Sequence, residues 1–308
     1  PFADDKYEEE CRAIDQICAE KKVDLFISTY FTAPNSFYSI SYLHDFIPDR
    51  LGMNLNQQPW KSKMFAMDKA NGYIGVSKTT LQDLQLLHPR YRERQRSLVY
   101  NAISNDFRNH KSEAIEAVKS KHGIHKKYFV VLGHRLTYKN AIVFFKAFAE
   151  LKNRDEFQIV CVGGYPSLEP VLGFYIQPFN DVIVLSVDND ELSMILNHAS
   201  ALVYPSVCEG FGMPILEGWA SECPVIVAKQ ATACLEVAGD GAIAVDGFNV
   251  LEMVSALEEV QKTETRKRLI EIGKTRVRRF SLDNFKEQFY AALSDNLPNI
   301  QNYYGTKK

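Results

Sequence analysis

The sequence predicts an α/β protein built on doubly wound, parallel sheets. Three observations carry this. Short runs rich in Val and Ile, such as "FQIVCVGG", "DVIVL" and "PVIVA", are apolar throughout, as strands covered on both faces must be. They alternate with helix-length stretches, the pattern of strand–helix–strand crossovers. The chain has 308 residues, enough for about two domains, and the alternation is regular in its later part and sparse in its earlier part.

In chain order, a first helix follows from the apolar spacing of Tyr7, Cys11, Ile14 and Cys18. "VDLFIST" reads as a buried strand, and "YSISYLHDF" as a second one ending in His44 and Asp45. "KSKMFAMDKA" reads as a helix, "GYIGVS" as a strand, "KTTLQDLQLL" as a helix and "SLVYNAI" as a fourth strand. Residues 104–127 read as a linker with one short helix. Six strands follow: "YFVVLG", "FQIVCVGG", "DVIVL", "ALVYPS", "PVIVA" and "GAIAV". Helices are expected between them at residues 140–153, 166–174, 189–198, 214–221 and 231–238. Val250, Met253, Val254, Leu257 and Val260 mark one side of an amphipathic helix, and a last helix is expected over 282–296. The expected domains are 1–108, 109–285 and a terminal helix, 286–308, that crosses back to the first domain.

The first domain has four expected strands against six in the second. It opens at "PFADDKYEEE", without an initiator Met and with a helix ahead of any strand. If it too is Rossmann-like, the expectation is an incomplete domain whose first strand and first strand-to-helix turn are missing from this sequence.

Composition excludes some functions. The formal net charge is −2, which gives no electrostatic basis for a nucleic-acid partner. No apolar run reaches the roughly 18 residues of a transmembrane helix, and no secretory signal is recognisable. The six cysteines lack CxxC spacing and several sit inside apolar strands, so they are expected to be reduced core thiols of a cytoplasmic protein.

The chemistry concentrates beyond strand ends. "VCEGFGMPILEGWA" follows "ALVYPS" and holds Glu209 and Glu217, with seven residues between them. In open α/β sheets ligands gather beyond the carboxyl ends of strands. Pro214 suits the first turn of a helix, Gly210 and Gly212 permit close backbone approach, and a helix N-terminus attracts an anion. Carboxylates accept hydrogen bonds from sugar or ribose hydroxyls. A phosphate flanked by two polyols, as in a nucleotide sugar, would fit; a plain helix cap is the alternative. "VLGHRLTYKN" places Arg135 and Lys139 beyond another strand, where they would clamp a diphosphate or stand as solvated loop charges. "YLHDFIP" puts His44 beside Asp45, for acid–base work, sugar orientation, a metal or a structural role. "RYRERQR" and "RKRLIEIGKTRVRRF" read as solvated basic faces or as patches for an anionic surface.

Together these segments resemble the retaining glycosyltransferases of family 4, with the GT-B fold of two Rossmann-like domains facing a cleft. "EGFGMPILE" looks like that family's E-x7-E motif and "GHRLTYKN" like its G-x-R-x-x-x-K-N segment. "LHDFIPDRLGM", "GVSKTTLQDL", "VYNAI" and "LEVAGDGAIAVD" occur in the family's order, from about Val23 to Phe285, closest to bacterial members that build surface polysaccharides. The resemblance implies Glu209 on the donor sugar, Glu217 on the ribose, and Arg135 and Lys139 on the departing phosphates. His44 would face the sugar. Gly133 and the backbone of Phe211, Gly212, Met213, Pro214 and Ile215 would line the donor, with Val187 near the base. It implies a UDP-sugar donor, or a GDP-sugar, and a glycan or lipid-linked acceptor. It implies no metal and no cofactor, a cytoplasmic location with peripheral membrane contact, and no nucleic acid. Family members open with a strand and a glycine-rich loop that touches the donor, and this sequence has neither. A nucleotide-sugar epimerase of similar fold and a nucleotide-sugar-binding or inactive accessory subunit are the competing readings.

Overall fold

The computed structural model describes residues 7–177 and 181–305. The chain divides into two compact units, one formed by residues up to Asn101 with those from Asp283 onward, the other by Ala102–Leu282.

The first unit contains helix α1 (Tyr7–Glu20), strands β1 (Phe26–Ser28) and β2 (Ser39–Leu43), short helix α2 (Ile47–Arg50), α3 (Trp60–Lys69), β3 (Gly72–Gly75), α4 (Lys78–Leu87) and β4 (Gln95–Leu98). Its sheet runs β1-β2-β3-β4, every pair parallel. The predicted face of α1 is the one it buries, with Cys11 and Cys18 inside. α4 starts where Ser77 caps it by accepting from the Thr80 N–H at 2.9 Å. Leu43, Phe46, Met67, Tyr73, Leu84 and Tyr91 form its core.

The second unit holds α5 (Ser112–Lys121), β5 (Lys127–Leu132), α6 (Ala141–Glu150), β6 (Phe157–Val162), α7 (Pro170–Ile176), β7 (Val182–Leu185), α8 (Asn189–Asn197) and β8 (Ala201–Tyr204). It continues through α9 (Met213–Ala220), β9 (Val225–Ala228), α10 (Thr232–Ala238), β10 (Ile243–Val245), α11 (Val250–Glu259) and α12 (Thr263–Val277). The last helix, α13 (Leu282–Gly305), belongs to the first unit, where Tyr38 Oη donates to Asn296 Oδ1 and the Tyr100 N–H to Gln288.

The second sheet is all parallel, in the order β10-β9-β8-β5-β6-β7. The direction of winding reverses between β5 and β8, so a crevice opens beyond the carboxyl ends of those two strands. An aromatic core holds them rigid. Phe129 stacks on Phe157 at 4.9 Å and meets Phe144 and Phe148 edge-on. All four are fully buried, each contributing on the order of 1.5–3 kcal/mol by burial.

Several expectations needed correction. The fourth strand pairs earlier than "SLVYNAI", at Gln95–Leu98. The linker after Asn101 packs within the second unit, because the Arg108 N–H donates to Ser193 and the His110 N–H to Asn197; the division therefore falls at 101/102. α12 was not expected at all. Its basic sequence is a helix whose Leu269 is buried and whose Gly273 makes room for the Trp219 indole, since a Cβ there would stand 2.5 Å from the ring. Two of its cations work inside the fold: Arg266 donates to Ser200 O and Arg276 to Asp240 and Val237 O. In "RYRERQR", Arg94 likewise staples Met67 O, Ala70 O, Asp68 O and the Tyr73 hydroxyl. All six cysteines are free and buried.

Candidate functional site

The loops after β5, β8 and β10 are tied together at the switch point. Asn140, in the left-handed region at φ 53°, ends the turn after β5. Its amide donates to Pro205 O, beyond β8, and to Gly247 O, beyond β10. The Val207 N–H donates to Tyr138 O at 2.8 Å. These bonds hold Lys139 against the loop that carries Glu209. Lys139 Nζ lies 2.7 Å from Glu209 Oε1, which also accepts from Ser206 Oγ. The same ammonium stands 5.4 Å over the Tyr204 ring. Burial, with Glu209 adding to it, pushes the Tyr204 phenol well above its usual range, so it stays neutral. The Lys139 side chain keeps 21% of its surface open, so the cation is reachable from solvent.

α9 begins on this floor. Gly212 has φ +107°, a region L side chains rarely adopt, and a Cβ there would lie 3.0 Å from Ile215 and 3.1 Å from Cys234. Only glycine turns the chain this sharply, which is why Gly212 leads directly into Met213 and Pro214. Phe211 is buried edge-on against Phe280, and Ile215 is fully buried, so neither side chain is presented to solvent. Glu217 sits further along the same helix, half-buried, with no side-chain hydrogen bond to any described residue. Burial raises its carboxyl from 4.5 to about 7. A buried carboxylate without a donor is costly, and a hydroxyl-bearing ligand would remove that cost.

Arg135 follows β5 beyond its carboxyl end, as the sequence placed it. Its guanidinium is fully buried and does not stand open to an anion. Nε donates to Glu169 Oε2 at 2.6 Å, Nη1 to Gly163 O at 2.8 Å, and Nη2 to Tyr165 O and Ser167 O at 2.9 Å. The helix expected from 166 starts only at Pro170 because the preceding residues wrap this side chain. Gly133, at φ +75°, lies so close to Gly164 that a Cβ on the latter would be 2.5 Å from Gly133 O. Val187 lies beyond β7, at the sheet edge two strands from β5.

His44 belongs to the first unit. Its exposed ring makes a 2.9 Å hydrogen bond between Nε2 and Thr29 O. It lines a cavity of about 140 Å³ with Tyr30, Phe31, Asp45, Trp60 and Lys63. Lys63, which the sequence reading passed over, is buried beneath it, donating to Asp45 O at 2.7 Å and pairing with Asp49, itself 2.6 Å from His88. Burial lowers the Lys63 ammonium below its usual range against the pull of Asp49. Nothing in "KSKMFAMDKA" marks this lysine off from its neighbour Lys61. Glu169 was missed as well, being 34 residues from Arg135 with no local motif around it.

Residues 114–276 match the family described as glycosyl transferases group 1. Among curated proteins, the chain is 27% identical over 199 residues to the O-antigen chain mannosyltransferase RfbU of Salmonella typhimurium, covering 62% of this chain and 50% of that protein. The chain thus spans about half the length of this curated relative. Among solved structures it superposes on WaaG, a glycosyltransferase involved in lipopolysaccharide biosynthesis, with a TM-score of 0.71 at 14% identity, over 91% of this chain and 80% of that one. It superposes on Anabaena HepE, solved in complex with UDP-glucose, with a TM-score of 0.72 at 16% identity, over 92% and 82% of the two chains. The two parallel sheets are those of the GT-B glycosyltransferases.

Proposed function

We propose a reaction for this chain, which belongs to the group 1 glycosyl transferases: transfer of a hexose from a nucleotide-sugar donor to a glycan or lipid-linked acceptor, with retention at the anomeric carbon, as in family 4. The observation that carries the reading is the switch point itself. There an accessible ammonium, the N-terminus of α9 and two carboxylates in different environments share one floor.

Each group has a role in this reading. The donor's diphosphate lies at the turn Phe211–Ile215, with Gly133 close by and Lys139 as the reachable cation. Glu209, held by Lys139 and Ser206, accepts from hydroxyls of the transferred sugar. Glu217, which has no donor among the described residues, accepts from the ribose. Val187 lies towards the base. Cleavage of the anomeric C–O bond leaves the electron pair on the departing phosphate oxygen. The acceptor hydroxyl attacks from that same face and gives its proton to that oxygen. Lys139 and the α9 N-terminus stabilise the negative charge as it develops. These fixed positive groups supply the role a metal would otherwise fill, and we read the reaction as metal-independent. UDP is the favoured nucleotide because HepE, a neighbour in fold, is solved with UDP-glucose; a GDP-sugar is the other candidate. The biosynthetic setting is a bacterial surface polysaccharide, as the name of RfbU suggests. The reaction is placed in the cytoplasm, at the membrane face where a lipid-linked acceptor is presented. Among the described residues no helix is long and apolar enough to cross a membrane.

The test is turnover of UDP- and GDP-hexoses with sugar and lipid-linked acceptors, followed by proton NMR of the anomeric signal. Release of nucleoside diphosphate that depends on acceptor, with the donor's configuration kept in the product, is expected. An inverted product would overturn retention. An epimerised donor, or binding without turnover, would replace transfer by the epimerase or accessory reading.

A further inference from the structure

Two aromatic rings stand open to solvent beyond the carboxyl ends of neighbouring strands. Leu132 of β5 pairs in register with Val162 of β6, so the loops that follow leave the sheet side by side. The first loop carries His134, which is exposed, and the second carries Tyr165, which is 54% exposed. Their ring centroids lie 5.5 Å apart with the planes at 73°, so the pair forms a two-walled corner. Neither ring takes part in the roles proposed for Lys139, Glu209 and Glu217. The backbone under Tyr165 is firmly tied. The Gly163 N–H donates to Leu185 O, and the Gly133 N–H to Val162 O, each at 2.8 Å. Residues 164–167 are exposed, yet the fully buried Arg135 guanidinium holds Gly163 O, Tyr165 O, Ser167 O and Glu169 from within. A Cβ on Gly164 would stand 2.5 Å from Gly133 O, so this loop is pressed against the one after β5. A surface loop fixed in this way has little backbone freedom left to lose when a ligand meets it.

The strand order indicates what would reach the corner. In the donor reading above, the diphosphate lies at the start of α9, beyond β8, with Gly133 beyond β5. The sheet continues β8-β5-β6-β7, with neighbouring strands about 4.8 Å apart. A nucleoside that extends from the diphosphate along these strand ends, away from β9, passes Gly133 and arrives at the loop after β6. A nucleobase is a flat ring with two poorly hydrated faces, and a partly exposed tyrosine offers such a ring a matching face. We propose that Tyr165 is the stacking platform for the donor's nucleobase, with His134 closing the adjacent side of the corner. The proposal rests on the donor reading. Every base has a π-face, so Tyr165 contributes affinity for the nucleoside half of the donor without choosing between uracil and guanine. The buried Arg135 then serves the donor through the loop it ties down, and makes no contact with phosphate.

The experiment compares the full chain with its Tyr165→Ala and Tyr165→Trp variants. UDP, GDP and, as a probe without a base, inorganic pyrophosphate are titrated into each. Tyr165→Ala is expected to weaken the nucleoside diphosphate that wild type binds by about 5–100-fold, with pyrophosphate affinity unchanged. Tyr165→Trp is expected to keep the affinity, and the fluorescence of its added indole to be quenched by the nucleoside diphosphate and not by pyrophosphate. Wild-type affinity in Y165A overturns the platform. An equal loss for pyrophosphate overturns it as well, since the substitution would then act through the loop and not through the base. Should Y165A fail to fold, the tryptophan variant decides alone: an added indole that the nucleoside diphosphate leaves unquenched overturns the proposal. If wild-type protein binds neither UDP nor GDP, the donor reading falls first and the platform with it.

Discussion

Glu217→Gln should make the protein more stable while making it a poorer binder of nucleotide. Burial raises the carboxyl from 4.5 to about 7, and no side chain among the described residues donates to it. At 1.36 kcal/mol per pH unit, that displacement corresponds to roughly 3 kcal/mol of stability withheld by the ionised form. The folded pKa lies above the unfolded one. Well below pH 4.5 the carboxyl is neutral in both states, so the pH-dependent difference between wild type and variant vanishes there. As pH rises from 4.5 to 7 the unfolded chain releases its proton while the folded chain keeps it, and wild type loses stability until the loss is complete just above 7. Glutamine carries no charge but keeps some desolvation cost of its own, so the net gain at pH 8 is about 1–3 kcal/mol. The pH-dependent part is independent of that offset. The assay is urea unfolding at pH 5 and pH 8. The chain has two tryptophans, so in a Trp60→Phe background fluorescence reports Trp219, fully buried on the same helix as Glu217. A variant whose stability relative to wild type does not change between pH 5 and pH 8 would refute the reasoning.

Other outcomes follow from the same site. Lys139→Ala should lower kcat about 10²–10³-fold, as loss of one preorganised charge at a developing anion does; steady-state kinetics with the preferred donor check this. Gly212→Ala should lower the melting temperature and cost about 1–3 kcal/mol, because the alanine would have to hold φ +107° with its Cβ 3.0 Å from Ile215. Turnover after dialysis against EDTA should match the untreated enzyme, and loss of activity restored by a divalent cation would contradict the metal-independent reading.

How much of this was legible depended on whether the signal was local. β6, β8 and β9 were readable because a strand covered on both faces must be apolar at every position, and "FQIVCV", "ALVY" and "VIVA" are. α4 falls on the expected "KTTLQDLQLL", and the structure adds the Ser77 cap at its start. α12 was not readable, because its buried face consists of Thr265, Leu269 and Gly273, and a glycine chosen to fit Trp219 carries no hydrophobic signal. The site divided in the same way. Glu209, Glu217, Gly212 and Lys139 lie in two short segments beyond strands, where chemistry could be anticipated. The burial of Arg135 depends on Glu169, and the staple under His44 on Lys63 and His88. Those pairings are set by tertiary packing, and sequence spacing does not encode them.

The central claim is that the second unit's switch point holds a nucleotide-sugar. The most direct measurement is calorimetric titration of UDP- and GDP-hexoses into wild type, Lys139→Ala and Glu217→Ala. The account predicts that one nucleotide series binds wild type, that Lys139→Ala weakens the sugar nucleotide but not the bare nucleoside, and that Glu217→Ala weakens both. Binding that neither substitution alters, or no binding by wild type, would contradict it.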